Sequence, residues 1–291
     1  MNAYSFQNVF QTIEEGVRKI QDSGQYKEYL NVMTRFHSYS FNNVVLIYRQ
    51  NPDATFVAGY HSWRRNFQRH VKKGERGIRI LAPVSFRNKD PFTGEESMKI
   101  GFRMTTVFDV SQTEGKPLPE FEIPRLREEI ENYEEVMKVL RLVSPVPVEF
   151  QAMSPMIHGF YSREEKKIVL NEALPESQTV KTLIHEIAHA MVHDGQNTGE
   201  EKTPKIREIE AESIAYSVCR YYGLDTGEFS FPYLALFSKT KLNLQKDSMT
   251  LIQKTASQLI LRINALAGFE PADPINSRPA EEEAEDILRW N

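Results

Sequence analysis

Apolar positions in this chain recur with two different periods, and the places where the period changes divide it into elements. Helical spacing runs through residues 5–35 with a break near Ser23-Gly24, which predicts two helices. Ser40 and the residues after it cap a third helix through Val44, Leu46, Ile47 and Tyr48, which ends before Asn51-Pro52. Residues 56–60 form a short strand or turn. Residues 78–86 and 100–110 follow as strands, with Asp90-Pro91-Phe92-Thr93-Gly94 as the turn between them. The pattern then lapses at Thr113-Glu114-Gly115-Lys116-Pro117-Leu118-Pro119 and Pro124, which mark a linker. Helical spacing resumes from about residue 125 to 142. Strands are expected at 153–160 and 167–170, around a turn at 162–165.

The strongest helical stripe comes next. Val180, Leu183, Ile184, Ile187, Ala188 and Met191 share a face; Ser177 after Pro175 is the expected N-cap, and Asp194-Gly195 the stop. A further helix starts at Thr203-Pro204, with Pro at its first position, and closes at Gly223. Residues 242–266 form a long amphipathic helix, and the acidic, Pro-rich residues 271–285 belong to a mobile tail. These elements predict an α+β protein. A mixed helix and antiparallel-sheet domain covers 1–113, and a linker covers 114–128. A second domain with its C-terminal helix covers 129–270, and the tail covers 271–291.

Composition narrows the classes. With 40% hydrophobic and 26% charged residues in 291, a folded soluble protein of two domains is expected. No apolar run reaches the ~20 residues of a bilayer span, and the start lacks a secretory pattern. Cys219 is the one cysteine. No internal disulfide can form, so a reducing cytoplasm is the expected compartment and Cys219 is read as a buried structural thiol. The net charge of −4 hides an asymmetry. Residues 1–112 carry 16 Lys/Arg against 10 Asp/Glu, while the remainder carries 20 against 30. The two parts therefore meet different partners.

The chemistry concentrates on the strongest stripe, where His185-Glu186-Ile187-Ala188-His189 lies on the predicted helix. Residues four apart share a helical face, so both imidazoles reach one ion. Zinc accepts imidazole nitrogen, and a catalytic zinc site takes three protein ligands with one position open. Glu186 is placed to act as general base. Val192 and Gly195 stand where the metzincin pattern needs Gly and His, which excludes that class. His193, one turn past His189, is expected behind the ligands or at the surface. Three carboxylates on the following helix compete as third ligand. Glu208 and Glu212 share a face while Glu210 points the other way. Glu208 is the expected ligand, Glu212 orients a ligand His from behind, and Glu210 is the fallback. Tyr161 and His158 are expected as structural residues, with help to an oxyanion as the lesser reading. The reaction expected is peptide-bond hydrolysis on a protein or peptide substrate.

His185 to His189 followed by Glu208-Ile209-Glu210-Ala211 resembles the ImmA/IrrE-type metallopeptidases, zincins of the gluzincin kind, over about residues 130–225. That resemblance also implies Glu208 as the ligand and, as in gluzincins, an edge strand before the helix that pairs with an extended peptide, a place that residues 168–170 take.

The densest positive stretch lies in the first domain. Residues 61–79 hold Arg64, Arg65, Arg69, Lys72, Lys73, Arg76 and Arg79 against one acid, interleaved with Trp63 and Phe67 and preceded by Tyr60. Cations neutralise phosphates and aromatic faces stack on bases, which suits single-stranded DNA. Tyr60, Trp63 and these seven basic residues are the expected DNA contacts. Met33-Thr34-Arg35-Phe36-His37-Ser38-Tyr39-Ser40-Phe41-Asn42-Asn43, Gly59-Tyr60-His61-Ser62-Trp63, Val71-Lys72-Lys73-Gly74-Glu75-Arg76-Gly77-Ile78 and Val107-Phe108-Asp109-Val110-Ser111-Gln112-Thr113 resemble the N-terminal domain of the ArdC antirestriction family. The resemblance implies a single-stranded-DNA-binding domain ahead of a metallopeptidase-like one. The C-terminal half is more similar to ImmA/IrrE and to the LtrC-like proteins of conjugative elements. The setting implied is a plasmid or integrative conjugative element. The alternative function is protection of incoming DNA by a binding protein whose zinc site is structural or regulatory.

Overall fold

Element boundaries follow the local chemistry of the chain. The computed structural model describes residues 3–22, 25–89, 96–118, 132–194, 202–224 and 246–268. Helices α1 (Ala3–Asp22) and α2 (Tyr26–Arg35) flank the predicted break, and α3 (Phe41–Gln50) starts where the Ser40 side chain accepts from the Asn43 N–H. Gly16 lets α1 approach α3 closely: a Cβ there would stand 2.6 Å from a Val45 methyl. Strand β1 (Val57–Gly59), α4 (Tyr60–Phe67) and β2 (Arg69–Val71) follow. Then come the long hairpin β3 (Ile78–Lys89) and β4 (Glu96–Asp109), a single 3-10 turn and β5 (Thr113–Gly115). The turn at 90–94 lies outside the described residues.

Two antiparallel sheets result, one ordered β1-β4-β3 and one pairing β2 with β5. The expected linker thus begins inside a strand. The hairpin is fastened to α3 by Asn43, whose amide donates to the Leu81 carbonyl and accepts from the Leu81 N–H, each at 2.8 Å. Buried Asp109 ends β4 by accepting from the N–H groups of Thr55, Phe56 and Ser111.

The second half contains α5 (Tyr133–Val143), β6 (Val148–Gln151), β7 (Gly159–Ser162), β8 (Lys167–Asn171), α6 (Glu176–Val192), α7 (Pro204–Tyr221) and α8 (Lys246–Ala267). Residues 125–131, 242–245 and the tail lie outside the description. The predicted strand at 153–160 is corrected. Pairing occurs earlier, at Val148–Gln151, and later, at Gly159–Ser162, and the stretch between is turn and coil in which Asn171 donates to the carbonyls of Ser154 and Ile157. The expected cap at Ser177 is corrected too: Pro175 is the N-cap and Ser177 lies inside the first turn. Thr203 and Pro204 start α7 as predicted, with the Thr203 hydroxyl accepting from the Ile206 N–H.

The fold is α+β, and one apolar core runs through both halves without a break. Helix α2 lies on α7, where the Tyr26 hydroxyl meets Ser213 Oγ at 2.9 Å and the Tyr216 hydroxyl donates to Asn31 at 2.8 Å. From α8, Gln253 donates to the carbonyl of His37 at 2.8 Å. Among the described residues no helix is long and apolar enough to cross a membrane.

Candidate metal centre

Helix α6 packs on the sheet ordered β6-β8-β7, with β6 parallel and β7 antiparallel to β8. The apolar stripe of α6, Val180, Leu183, Ile184, Ile187 and Ala188, is buried, which turns His185, His189 and His193 together toward α7. Small Ala211 and Ala215 on α7 are fully buried and allow the close approach that the sequence suggested.

Three predicted residues meet between the helices. His185 Nε2 and His189 Nε2 are 3.1 Å apart, and the Glu208 carboxylate lies 3.5 Å from the first and 3.4 Å from the second. Two donors on one zinc at tetrahedral angles stand about 3.3 Å apart, given bonds of about 2.0–2.1 Å. The trio therefore has the spacing of donors around a single metal ion, with the candidate donor atoms within 4.8 Å of one another. Glu212 is nearly fully buried and stands 3.1 Å from His185 Nδ1, with Lys181 Nζ at 3.0 Å on its other oxygen. The residues suit a cation: two inward nitrogens, a carboxylate and a buried counter-charge behind.

The electrostatics match. Burial alone would lower the His185 pKa, but Glu208 and Glu212 outweigh it and raise it to about 9. The two imidazoles hold the Glu208 carboxyl well below the usual carboxylate range. Glu186 is 7% exposed, and burial raises its pKa against the pull of His185 and His189, while the backbone N–H of Tyr161 donates to its carboxylate. Glu186 lines the same cleft, about 140 Å³, as His185, Glu208, His158 and Gly159.

Glu210 is not among the converging groups. Its side chain is fully buried and bonds His193 Nε2 at 2.8 Å and Lys202 Nζ at 2.7 Å. His193 is itself buried, so it is not a surface residue; its Nδ1 lies 3.0 Å from His189 Nδ1. Burial holds the His193 pKa below its ordinary value. Of the two placements expected for His193 the one behind the ligands holds; its pairing with Glu210 was not legible in the sequence, where the one signal was the fourfold spacing of His185, His189 and His193.

One further expectation changes. Strand β8 is central, not an edge, because β6 and β7 flank it. β7 forms the edge beside the cleft. The Tyr161 hydroxyl donates to Asp194, which also takes Lys166, so it is tied away from the reacting groups. His158 stays at the rim of the cleft, within 3.2 Å of the Gln178 amide. Cys219 is buried and its thiol pKa is pushed up to about 12, as a structural thiol requires.

On the basic half, Trp63 is corrected. Its side chain is fully buried, its indole N–H donates to the Phe108 carbonyl at 2.9 Å, and Phe56 and Phe67 pack around it. It offers no ring face to a base. Tyr60 is 54% exposed, and Arg64, Arg65, Lys73, Arg76 and Arg79 lie on the surface. Arg69 is a strut: it donates to the hydroxyl and carbonyl of Thr113 at 2.8 and 3.0 Å and to the Lys116 carbonyl. Lys72 donates to the Ser111 carbonyl at 2.9 Å while remaining exposed.

Comparison with known proteins supplies the relatives. Residues 4–111 match the family described as the N-terminal domain of anti-restriction factor ArdC, and residues 146–224 match the IrrE N-terminal-like domain of the M78 peptidases. The uncharacterized protein pXO2-81 of Bacillus anthracis is 28% identical over 281 aligned positions, covering 81% of this chain and 47% of that protein. The chain thus spans about half the length of the curated relative it matches. The metal-free crystal structure of the antirestriction protein ArdC from plasmid R388 aligns with a TM-score of 0.56 at 18% identity, covering 80% of this chain and 87% of the other. Its Mn(II)-bound form aligns at 0.50 and 18%, covering 79% and 84%. These structures share the fold.

Proposed function

Because the chain joins an ArdC-type N-terminal domain to an IrrE N-terminal-like peptidase-family domain, we propose that it is a zinc metallopeptidase of a mobile element acting beside single-stranded DNA. The observation that carries the peptidase half is the convergence of His185, His189 and Glu208, with Glu186 lining the cleft that His185 and Glu208 also line. Two imidazoles and a carboxylate favour zinc over manganese, since imidazole donors rank zinc higher. A zinc ion held there supplies a Lewis acid for a scissile carbonyl and lowers the pKa of a water. Glu186 would take a proton from the attacking water and pass it to the leaving amine, and the burial that raises its pKa suits it to hold that proton between the two steps. The outer edge of β7 beside the cleft receives an extended peptide by strand addition.

The pH dependence of metal binding has a definite sign. A His185 pKa of about 9 in the metal-free site means that its ring is protonated at neutral pH and must release that proton to become a ligand. Zinc affinity should rise by roughly tenfold per pH unit between about pH 6.5 and 9 and then level off, with about one proton released per ion at pH 7.5. Calorimetry in buffers of different ionisation enthalpy reads both. Flat affinity across this window contradicts the reading.

The DNA half rests on Tyr60 and the surface cations Arg64, Arg65, Lys73, Arg76 and Arg79. Fluorescence anisotropy with a single-stranded oligonucleotide should show binding that weakens with salt. The double change Arg64→Ala/Arg65→Ala should lower affinity and reduce the log–log salt slope by about 1.4, at ~0.7 per phosphate contact. An unchanged slope removes both arginines from the interface. The antirestriction setting of the ArdC relatives supports DNA protection as the second reading, in which binding suffices and no peptide is cut.

A further inference from the structure

The two ligand histidines are supported from behind in different ways. His185 Nδ1 faces a carboxylate, Glu212, at 3.1 Å. His189 Nδ1 faces a second imidazole instead, His193 Nδ1 at 3.0 Å, and only beyond it a carboxylate, where His193 Nε2 meets Glu210 Oε2 at 2.8 Å. Glu210 also takes Lys202 Nζ at 2.7 Å and the Ser248 hydroxyl from the first turn of α8. The His193 and Glu210 side chains are 3% and 0% exposed. Polar groups so deep are kept where they are fully bonded and specify an arrangement. The peptidase reading leaves both unused.

We propose that Glu210 and His193 form a relay that fixes the tautomer and ring orientation of His189, so that its Nε2 lone pair faces the metal position. The donor logic runs in one direction. An ionised carboxylate only accepts, so His193 carries its proton on Nε2. A neutral imidazole protonated there has a lone pair on Nδ1, so it accepts from His189 Nδ1–H. His189 then bears no proton on Nε2, the atom 3.1 Å from His185 Nε2 and 3.4 Å from Glu208. Without the relay His189 is free to place its proton on Nε2, which cannot ligate. The spacing explains the extra residue. Glu212 shares the Glu208 face of α7 and reaches His185 directly. Glu210 lies on another face, and His193, one turn beyond His189, spans the gap. Partners behind a ligand imidazole commonly govern affinity as strongly as this requires. His193 and Glu210 are positioning residues, and the inference rests on the metal reading of His185, His189 and Glu208.

The test uses the full chain with His193→Phe, Glu210→Gln, their combination and His193→Gln. In the metal-free protein, long-range proton–nitrogen correlation spectra should show His189 protonated on Nδ1, and this should change in His193→Phe. Zinc affinity, read by competition with a chromophoric chelator, should fall about 10–100-fold in His193→Phe and in Glu210→Gln, whose one oxygen goes to the Lys202 cation and whose NH2 then faces His193 Nε2. The combination should lose no more than the weaker single variant, because the residues act in series. His193→Gln, whose amide oxygen can accept the same proton, should recover most of the loss. A His193→Phe affinity within twofold of the unaltered chain, additive losses, or His189 protonated on Nε2 in the unaltered protein would each overturn the relay. If the unaltered chain binds no zinc, the metal reading fails separately, and the metal-free spectra still decide the relay. Should Glu210→Gln not fold, the histidine variants and the unaltered spectra decide it.

Discussion

Glu186→Gln should leave the metal bound and reduce peptide hydrolysis by about 10²–10⁴, the usual contribution of a positioned general base. The substitution is nearly isosteric. It keeps an oxygen to accept from the Tyr161 N–H and leaves His185, His189 and Glu208 untouched. What it removes is the capacity to hold a proton, and the buried carboxyl is the group in the cleft suited to that task. Two measurements on the same sample decide it: metal content by mass spectrometry, and new termini released from a peptide library. A variant that keeps its metal and cuts as fast as the unaltered chain excludes Glu186 as the base. If DNA binding and every protective effect in cells also survive the change, the peptidase reading gives way to protection by occupancy.

Glu208→Ala should strip the metal. It removes one of three converging donors, so the fall in zinc affinity should exceed the ~10–100-fold expected from losing a partner behind a ligand. Glu210→Ala belongs to that milder class, because Glu210 touches His193 and not the metal position. The order of the two effects is the decisive result: a larger loss for Glu210→Ala than for Glu208→Ala would reverse the assignment. Stability separates the pair as well. The Glu208 side chain is 49% exposed, so its removal should disturb the metal-free fold less than removal of fully buried Glu210. Glu210→Ala leaves buried His193 and Lys202 without their acceptor, which should cost about 3–5 kcal/mol.

Much of this site can be read along a single strand of text. The fourfold spacing of His185 and His189 on a helix, Glu208 and Glu212 on one face of the next, and small Ala211 and Ala215 beside them all rest on helical periodicity, which is local. So do the α3 cap at Ser40 and the α7 start at Thr203-Pro204. The misreadings share a different cause. Trp63 and Tyr60 both stand in the same basic and aromatic stretch, yet one is sealed against Phe56, Phe67 and the Phe108 carbonyl while the other faces water. Local sequence records the ring and not the neighbours. The gluzincin analogy makes the strand before α6 an edge, but the flanks of β8 are filled by β6 in parallel and β7 in antiparallel pairing.

The sequence by itself determined most of the helices, the caps at Ser40 and Thr203, the strands of the long hairpin, the α+β class and the candidate residues, because these depend on intervals of two to four residues within one element. Only the tertiary structure decided which acid meets which histidine. Glu208, Glu210 and Glu212 sit within five positions, and their roles diverge because α7 presents them to different parts of α6 and α8. Hydrogen-bond direction across such a packing interface depends on the relative placement of two helices, and no local pattern encodes that.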